Sequence, residues 1–166
     1  MANDDVKTST RTGRRAWLVV AAVVAIVVVD QLTKSWAVSA LADGPINVIG
    51  DHAKFELTHN SGSAFSGFQN YTPVLAVIAT VITILIARAV RRATDPWIIT
   101  GLVLVLGGAL GNLVDRFARS PGFLRGHVVD FVAVGWWPVF NVADSCVTIG
   151  AILLVVRTLF APSAPE

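Results

Sequence analysis

The sequence is poor in charged residues and in cysteine. Only 14% of its 166 residues are charged while 54% are hydrophobic, a balance that excludes an average soluble domain. The one cysteine, Cys146, has no partner for an intrachain disulfide, so no disulfide framework supports the fold. The formal net charge is only +2 and no basic stripe alternates with aromatic residues, so we expect no nucleic-acid partner. The composition predicts a membrane protein of one domain.

Several familiar catalytic patterns are missing as well. The three histidines are scattered, without HExxH or i, i+4 spacing, so we expect no metal site and no cofactor. There is no GxSxG elbow, and the stretch GGALGN lacks the Lys-Ser/Thr ending of a phosphate-binding loop. A nucleophilic dyad of Ser61 or Ser63 with Lys34 stays open as an alternative.

Four long apolar stretches dominate the chain. A bilayer core requires roughly 20 mostly apolar residues for each helix. The stretches lie at about 16–36, 71–90, 97–117 and 138–160. None alternates as a barrel strand does, so the predicted fold class is an all-α integral membrane protein, a bundle of four transmembrane helices. The first stretch could instead be a cleavable signal peptide, but Asp30 and Lys34 lie inside it and three more spans follow.

The polar segments between and beside the spans complete the predicted domain organisation. The alternating KFELTHN predicts a small β-containing extracytoplasmic lobe over 37–70, between the first two helices. An extracytoplasmic loop follows at 118–137, where Trp136 and Trp137 suit the lipid headgroup level. We predict a disordered cytoplasmic tail, a single membrane domain and a second cytoplasmic tail at 1–15, 16–160 and 161–166.

Lysine and arginine near the span ends predict the orientation. Eight lie on one side and five on the other, and seven of the eight form clusters beside spans, within 1–15 and 88–92. The side rich in these residues is expected to face the cytoplasm, with both termini.

With this topology, polar residues of three spans reach the outer side at one depth. Spacings of three or four residues place several of them on shared helix faces. The residues are Asp30 and Lys34 in the first span, Asn112, Asp115 and Arg116 in the third, Asn141 and Asp144 in the fourth, and Asp130 in the preceding loop.

Asp130 and Asp144 have no obvious basic partner close in sequence. Two carboxylates in one low-dielectric site share a proton, and such a pair can activate water against a peptide carbonyl without a metal. The simpler structural interpretation is that the polar groups are solvated helix ends, with Lys34 paired to Asp30 and Arg116 paired to Asp115.

Five motifs, in this order, closely resemble those of the bacterial prolipoprotein signal peptidases, also called signal peptidase II. They are DQLTK at 30–34, NSGSAF at 60–65, GGALGNLVDR at 107–116, VVDF at 128–131 and FNVADS at 140–145. Each motif alone is weak, and the combination is specific. Only the NxGxAF end of the 37–70 lobe is recognisable, and the loop between Asp130 and Asp144 is shorter than in several relatives.

The resemblance implies an intramembrane aspartic endopeptidase that cuts bacterial prolipoproteins at the lipobox, before a diacylglyceryl-modified cysteine. It implies a multi-pass protein of the bacterial cytoplasmic membrane, with an active site near the outer leaflet and with membrane lipids and globomycin-type inhibitors as ligands. We expect a monomer. The resemblance assigns catalysis to Asp130 and Asp144, and support or substrate binding to Asp30, Lys34, Asn60, Gly62, Asn112, Asp115, Arg116 and Asn141.

Two other function classes remain open. A small transporter or proton channel also uses intramembrane carboxylates, but it predicts polar residues through the full membrane depth. A non-catalytic assembly factor predicts that the carboxylates are replaceable.

The predicted orientation is tested by reporter fusions. A periplasmic reporter fused after residue 92 is expected to be inactive in cells, because the basic loop before it should lie in the cytoplasm. The same reporter inserted in the 37–70 lobe should be active. Reporter activity after residue 92 would mean that the topology is the reverse of the predicted one. The polar residues of the spans would then not meet at the outer side of the membrane.

Overall fold

The computed structural model describes residues 2–50, 52–62 and 72–160, with side chains from Arg14 onward. The described residues form four helices and three strands. In chain order these are α1 (Ala2–Ala40), β1 (Ile46–Ile49), β2 (Ala53–Asn60), α2 (Thr72–Arg92), α3 (Pro96–Ala118), β3 (Val128–Val134) and α4 (Val142–Leu159).

Four segments are long and apolar enough to cross a membrane by length and composition, which confirms the predicted bundle. They are Arg14–Ala40, Thr72–Arg92, Pro96–Ala118 and Val142–Leu159. The helix α1 begins at Ala2, whereas the sequence predicted a disordered tail over 1–15. The domain boundaries stay predictions, and the second predicted tail, 161–166, lies outside the described residues.

Helix α3 is the central element of the bundle, because α1, α2 and α4 all pack against it. Glycines on α3 allow this close approach. A Cβ atom added at Gly108 would lie 2.4 Å from the carbonyl oxygen of Ala143 on α4, and one at Gly101 would crowd Leu154. On the other side, a Cβ at Gly107 would lie within 2.8 Å of Ile26 on α1.

The start of α3 is fixed by its own sequence. Asp95 is the N-cap and accepts hydrogen bonds from the amides of Trp97 and Ile98, while Pro96 occupies the first turn, where a missing N–H costs nothing. The second carboxylate oxygen of Asp95 accepts from both Nε and Nη2 of Arg157, at 2.9 and 2.7 Å. This ion pair joins the start of α3 to the end of α4.

The three strands form one antiparallel sheet in the order β1-β2-β3. The strand-bearing lobe between α1 and α2 is as predicted, but the sequence analysis treated 128–134 only as loop. In the structure this segment is β3, with Thr58 opposite Asp130 and Asn60 opposite Val128. The sheet therefore brings the end of β2 beside the acidic residue of β3.

An apolar cluster attaches the sheet to the helices. Ala37, Leu41 and Phe131 are buried together at the end of α1. The Trp36 ring meets the Phe55 ring edge-on, with centroids 5.2 Å apart, and lies 6.1 Å from the ring of Phe131. Aromatic pairs of this geometry are favourable, so the sheet is held against α1 at a defined height.

The packing of α3 on α4 yields a stability prediction. Gly108→Ala places a methyl group against the Ala143 carbonyl, so we expect a loss of about 1–3 kcal/mol of unfolding free energy despite the better helix propensity of alanine. Denaturant titration in detergent measures it. Val114→Ala on the exposed side of α3 is the control and should change little. Equal stability of Gly108→Ala and the parent would contradict the packing.

Candidate active site

Lys34 lies at the centre of a buried ion-pair network between α1 and α3. Its Nζ is 2.8 Å from Asp30 Oδ2, 2.8 Å from Asp115 Oδ2 and 2.9 Å from Asn112 Oδ1. The side chains of Lys34, Asp30 and Asp115 are fully buried. Since an unpaired charge at such a place is very costly, the three groups are stable there only together.

The same two carboxylates also bind backbone amides of distant segments. Asp30 Oδ1 accepts from the amide of Ala143 at 3.0 Å, and Asp115 Oδ2 accepts from the amide of Val129 at 3.2 Å. Ala143 immediately precedes Asp144, and Val129 immediately precedes Asp130. The network around Lys34 therefore holds the backbone beside each predicted catalytic residue.

Asn141 bridges Asp130 and Asp144. Its Nδ2 donates to Asp130 Oδ1 at 2.6 Å, and its backbone amide donates to Asp144 Oδ2 at 3.3 Å. In return, Asn141 Oδ1 accepts from the amide of Asp144 at 2.8 Å, which forms a capping box at the start of α4. The two carboxylates thus share one neighbour that is itself fully buried.

Two further asparagines complete the hydrogen bonds of the carboxylates. Asn60 Nδ2 donates to Asp130 Oδ2 at 3.0 Å, and Asn112 Nδ2 donates to Asp144 Oδ1 at 2.8 Å. Each oxygen of the pair therefore accepts one hydrogen bond. In the described part of the chain, neither Asp130 nor Asp144 forms an ion pair.

The two carboxylates differ in exposure. Asp130 is 2% exposed, while Asp144 is only half-buried and lines a groove of about 300 Å³. Burial raises the pKa of Asp130 to about 6, and the charge of Asp144 acts in the same direction against the hydrogen bonds from Asn60 and Asn141. Asp130 can therefore take up or release a proton near neutral pH, which suits a general acid or base.

Arg116 and Gly62 lie beside the pair. A Cβ atom added at Gly62 would lie 3.1 Å from Arg116 Nη2 and 2.7 Å from a methyl of Leu75, so there is no space for a side chain. The φ of +89° at Gly62 also favours glycine, because other residues rarely adopt it. The Nη1 atom of Arg116 is buried and has no hydrogen-bond partner among the described residues. This guanidinium is thus a cation with free donor capacity near the two carboxylates.

Comparison with known proteins identifies the family. The family model described as signal peptidase (SPase) II matches residues 22–160. The chain belongs to the signal peptidase II family. It is therefore a multi-pass membrane protein and an aspartic peptidase, as the motifs predicted.

Individual relatives of the family agree with this assignment. The lipoprotein signal peptidase of Mycolicibacterium smegmatis is 51% identical over 160 residues, which are 96% of this chain and 68% of the relative. That of Mycobacterium avium is 52% identical over 151 residues, 90% of this chain and 83% of the relative. A solved bacterial membrane enzyme has a TM-score of 0.68 at 28% identity, covering 87% of this chain and 94% of its own. Another solved bacterial membrane enzyme, at 24% identity, has a TM-score of 0.70. The match covers 90% of this chain and 94% of that enzyme, so the two share the fold.

The structure brings together the described residues of the signal peptidase II motifs, from α1, the end of β2, α3, β3 and α4; residues 63–65 of the second motif lie outside the described residues. One expected contact is wrong: Asp115 does not pair with Arg116 but with Lys34 and with Arg119, whose Nε lies 2.6 Å from Asp115 Oδ1. Neighbours in sequence point away from each other on a helix, whereas residues four apart share a face. The spacing of Asp115 and Arg119 could have indicated this pair.

Sequence reasoning also missed Gln31. Its Nε2 lies within 3.2 Å of Asp30 Oδ2, Asp115 Oδ1 and the carbonyl oxygen of Gly111, so it links α1 to α3 beside the ion pairs. The alternative Ser/Lys dyad finds no support, because the Lys34 ammonium is already bound by the carboxylates of Asp30 and Asp115, each 2.8 Å away. Ser63 lies outside the described residues.

Lys34 and Lys54 form a matched pair for a stability test. Lys34→Met leaves the buried Asp30 without a cation and Asp115 with only Arg119, so we expect a loss of about 3–5 kcal/mol of unfolding free energy. Lys54→Met breaks only the half-exposed pair with Glu56 and should cost about 0–1 kcal/mol. Denaturant titration of both variants in detergent checks this. Similar losses would mean that the Lys34 network is not the main constraint.

The pKa of Asp130 provides a second test. Asp144→Asn removes a negative charge that raises this pKa, so the pKa should fall from about 6 toward the ordinary value of 3.8 while burial keeps it above that value. Infrared titration of the Asp130 carboxyl band, assigned by its loss in Asp130→Asn, measures the shift. Glu56→Gln, at a half-exposed side chain of β2, is the control and should leave the pKa unchanged. If the pKa of Asp130 is unchanged in Asp144→Asn, the charge of Asp144 does not influence Asp130, and the two carboxylates do not act as a coupled pair.

Proposed function

We propose that this chain removes signal peptides from bacterial prolipoproteins, cutting before a diacylglyceryl-modified cysteine, with Asp130 and Asp144 as the catalytic residues. One observation carries the assignment of residues: two carboxylates that form no ion pair among the described residues are joined through Asn141 at the edge of a groove. The lipoprotein signal peptidase names of several relatives support the substrate class.

The chemistry follows from the shared proton of the pair. One carboxylate accepts a proton from water as the oxygen attacks the peptide carbonyl carbon, and the protonated partner donates a hydrogen bond to the developing oxyanion. Collapse of the tetrahedral intermediate breaks the C–N bond, and a proton from the pair goes to the leaving amine. The proton belongs to the pair rather than to one residue. A pKa of about 6 at Asp130 fits both directions of transfer.

The surrounding polar groups have positioning roles in this proposal. Asn60, Asn112 and Asn141 orient the four carboxylate oxygens by donating to them. Lys34 neutralises Asp30 and Asp115, so those carboxylates fix the backbone without repelling the dyad strongly. Arg116 lies beside Gly62, and its Nη1 has no hydrogen-bond partner in the described part of the chain, so it is placed to bind a carbonyl oxygen of the substrate backbone.

The groove beside Asp144 suits an amphiphilic substrate. Its walls are Trp137 and Phe140 at one end and Thr148 and Ile149 on α4 at the other, so the surface becomes apolar away from the carboxylate. An acyl chain or an apolar signal-peptide segment can lie there while the scissile bond reaches Asp144. Burial of the apolar part, at about 25 cal/mol per Å², would supply the binding free energy.

The membrane orientation belongs to the same proposal. The dyad lies near the outer leaflet, both termini are cytoplasmic, and the enzyme is a monomer inhibited by globomycin-type peptides. A transporter is less well supported, because the acidic side chains of the described spans cluster at the dyad end and the opposite halves of these helices are apolar between their basic ends. No polar path through the membrane follows from that distribution.

A cleavage assay tests the function and the residues together. Purified protein in detergent should cut a diacylglyceryl-modified prolipoprotein before the modified cysteine, with chelators present or absent. Asp130→Asn and Asp144→Asn should each lower the rate by roughly 10²- to 10⁴-fold or more, since each removes a group that moves the proton. Asp43→Asn, on the exposed connection after α1, is the matched control and should retain the parent rate.

The possible failures of this assay are distinct. Full activity in either dyad variant would refute the residue assignment while leaving the family intact. Cleavage of an unmodified precursor at the same rate would refute the lipid requirement. Loss of cleavage with a chelator would refute the metal-free mechanism.

A further inference from the structure

The end of the bundle opposite the dyad carries two apolar grooves that meet at Arg15. One groove, of about 450 Å³, lies between α1 and the start of α3 and includes Leu18, Ala22 and Ile99 among its walls. The other, of about 470 Å³, lies between α1 and α2 and is closed by Val90 and Arg91. Arg15 lines both, so the two grooves share one guanidinium at their polar ends.

The rim of these grooves is strongly basic. The Nη2 of Arg15 donates to the carbonyl of Ala93, which holds the guanidinium over the connection between α2 and α3. Among the described residues, no carboxylate forms an ion pair with Arg15 or Arg91. The nearby carboxylate of Asp95 is already bound by Arg157. The exposed arginines at this end are Arg14, Arg15, Arg88, Arg91 and Arg92.

We propose that this site binds one anionic diacyl phospholipid of the adjacent leaflet, with its phosphate between Arg15 and Arg91 and one acyl chain in each groove. Guanidinium groups bind phosphate through paired hydrogen bonds. Two guanidinium groups with no carboxylate partner among the described residues can accept one such anion. The two apolar grooves extend from this point on either side of α1, which matches a headgroup with two chains.

The arrangement is more specific than the general attraction of arginines to an anionic membrane surface. General attraction to an anionic membrane surface depends on the number of basic residues and does not depend on the shape of the grooves. The proposed site depends on Arg15 and Arg91 in particular, and on space beside Ala22 for a chain. It requires no part of the peptidase chemistry, so lipid binding and cleavage can be measured separately.

Native mass spectrometry of the full chain, released from detergent, tests the proposal. The probes are phosphatidylglycerol, phosphatidylcholine with the same acyl chains, and inorganic phosphate. Phosphatidylglycerol should be retained as a single adduct, phosphatidylcholine at least roughly fivefold less, and phosphate alone should not be retained, because contributions come from both the charge and the chains.

Three variants separate the parts of the site. Arg15→Gln and Arg91→Gln should each weaken phosphatidylglycerol retention roughly fivefold. Ala22→Phe keeps every charge but fills the groove between α1 and α3, and it should also weaken retention. Arg125→Gln removes one exposed arginine between α3 and β3, far from the grooves, and should leave retention unchanged.

Several results would overturn the proposal. They are equal retention of the two lipids, an equal effect of Arg125→Gln and Arg15→Gln, and no effect of Ala22→Phe. Retention of phosphate alone at the same level would mean an anion site without a lipid. Circular dichroism and prolipoprotein cleavage in detergent report whether each variant is folded; if Arg15→Gln is not, Arg91→Gln and Ala22→Phe decide the outcome.

Discussion

The buried ammonium of Lys34 is the interaction on which the rest of the structure depends. It pairs with the buried carboxylates of Asp30 and Asp115, which in turn bind the amides of Ala143 and Val129. Because these amides belong to the residues before Asp144 and Asp130, one cation sets the position of both members of the dyad. Neither member needs a cation of its own, and a direct salt bridge would suppress the proton transfer that the proposed chemistry requires.

The structure thus has two kinds of acidic residue: Asp30 and Asp115, which hold the backbone, and Asp130 and Asp144, for which a reactive role is proposed. The carboxylates of Asp30 and Asp115 are bound by Lys34 and Gln31, and Asp115 is also bound by Arg119. Among the described residues, the carboxylates of Asp130 and Asp144 accept hydrogen bonds only from neutral amides. Burial raises the pKa of Asp130 to about 6, although the charge of Lys34 acts in the opposite direction. Environments that separate the protonation behaviour of neighbouring carboxylates are typical of acid–base sites.

Much of this arrangement was predictable, and the failures have physical causes. Hydropathy is a property of single segments, so the four spans followed from the sequence, and helical spacing placed the polar residues of α1, α3 and α4 at one end. Strand β3 was missed because its partner β2 lies about 70 residues earlier, and pairing over that distance leaves no local pattern. The pairing of Asp115 with Arg116 was wrong because adjacency in sequence was given more weight than helix geometry. Gln31 was overlooked because a neutral side chain beside Asp30 gives no signal of its two distant contacts, with Gly111 and Asp115.

The hydrogen bond from Ala143 to Asp30 joins residues 113 positions apart. Its consequence concerns biosynthesis. The last helix supplies Asp144, and the preceding strand supplies Asp130, so a ribosome-bound chain holding only the first three helices has neither carboxylate in place. With Asp130 and Asp144 as the proposed catalytic pair, we expect no proteolytic activity until the final span has entered the bilayer. A protease synthesised among other nascent membrane proteins would then stay inert while its own insertion is incomplete.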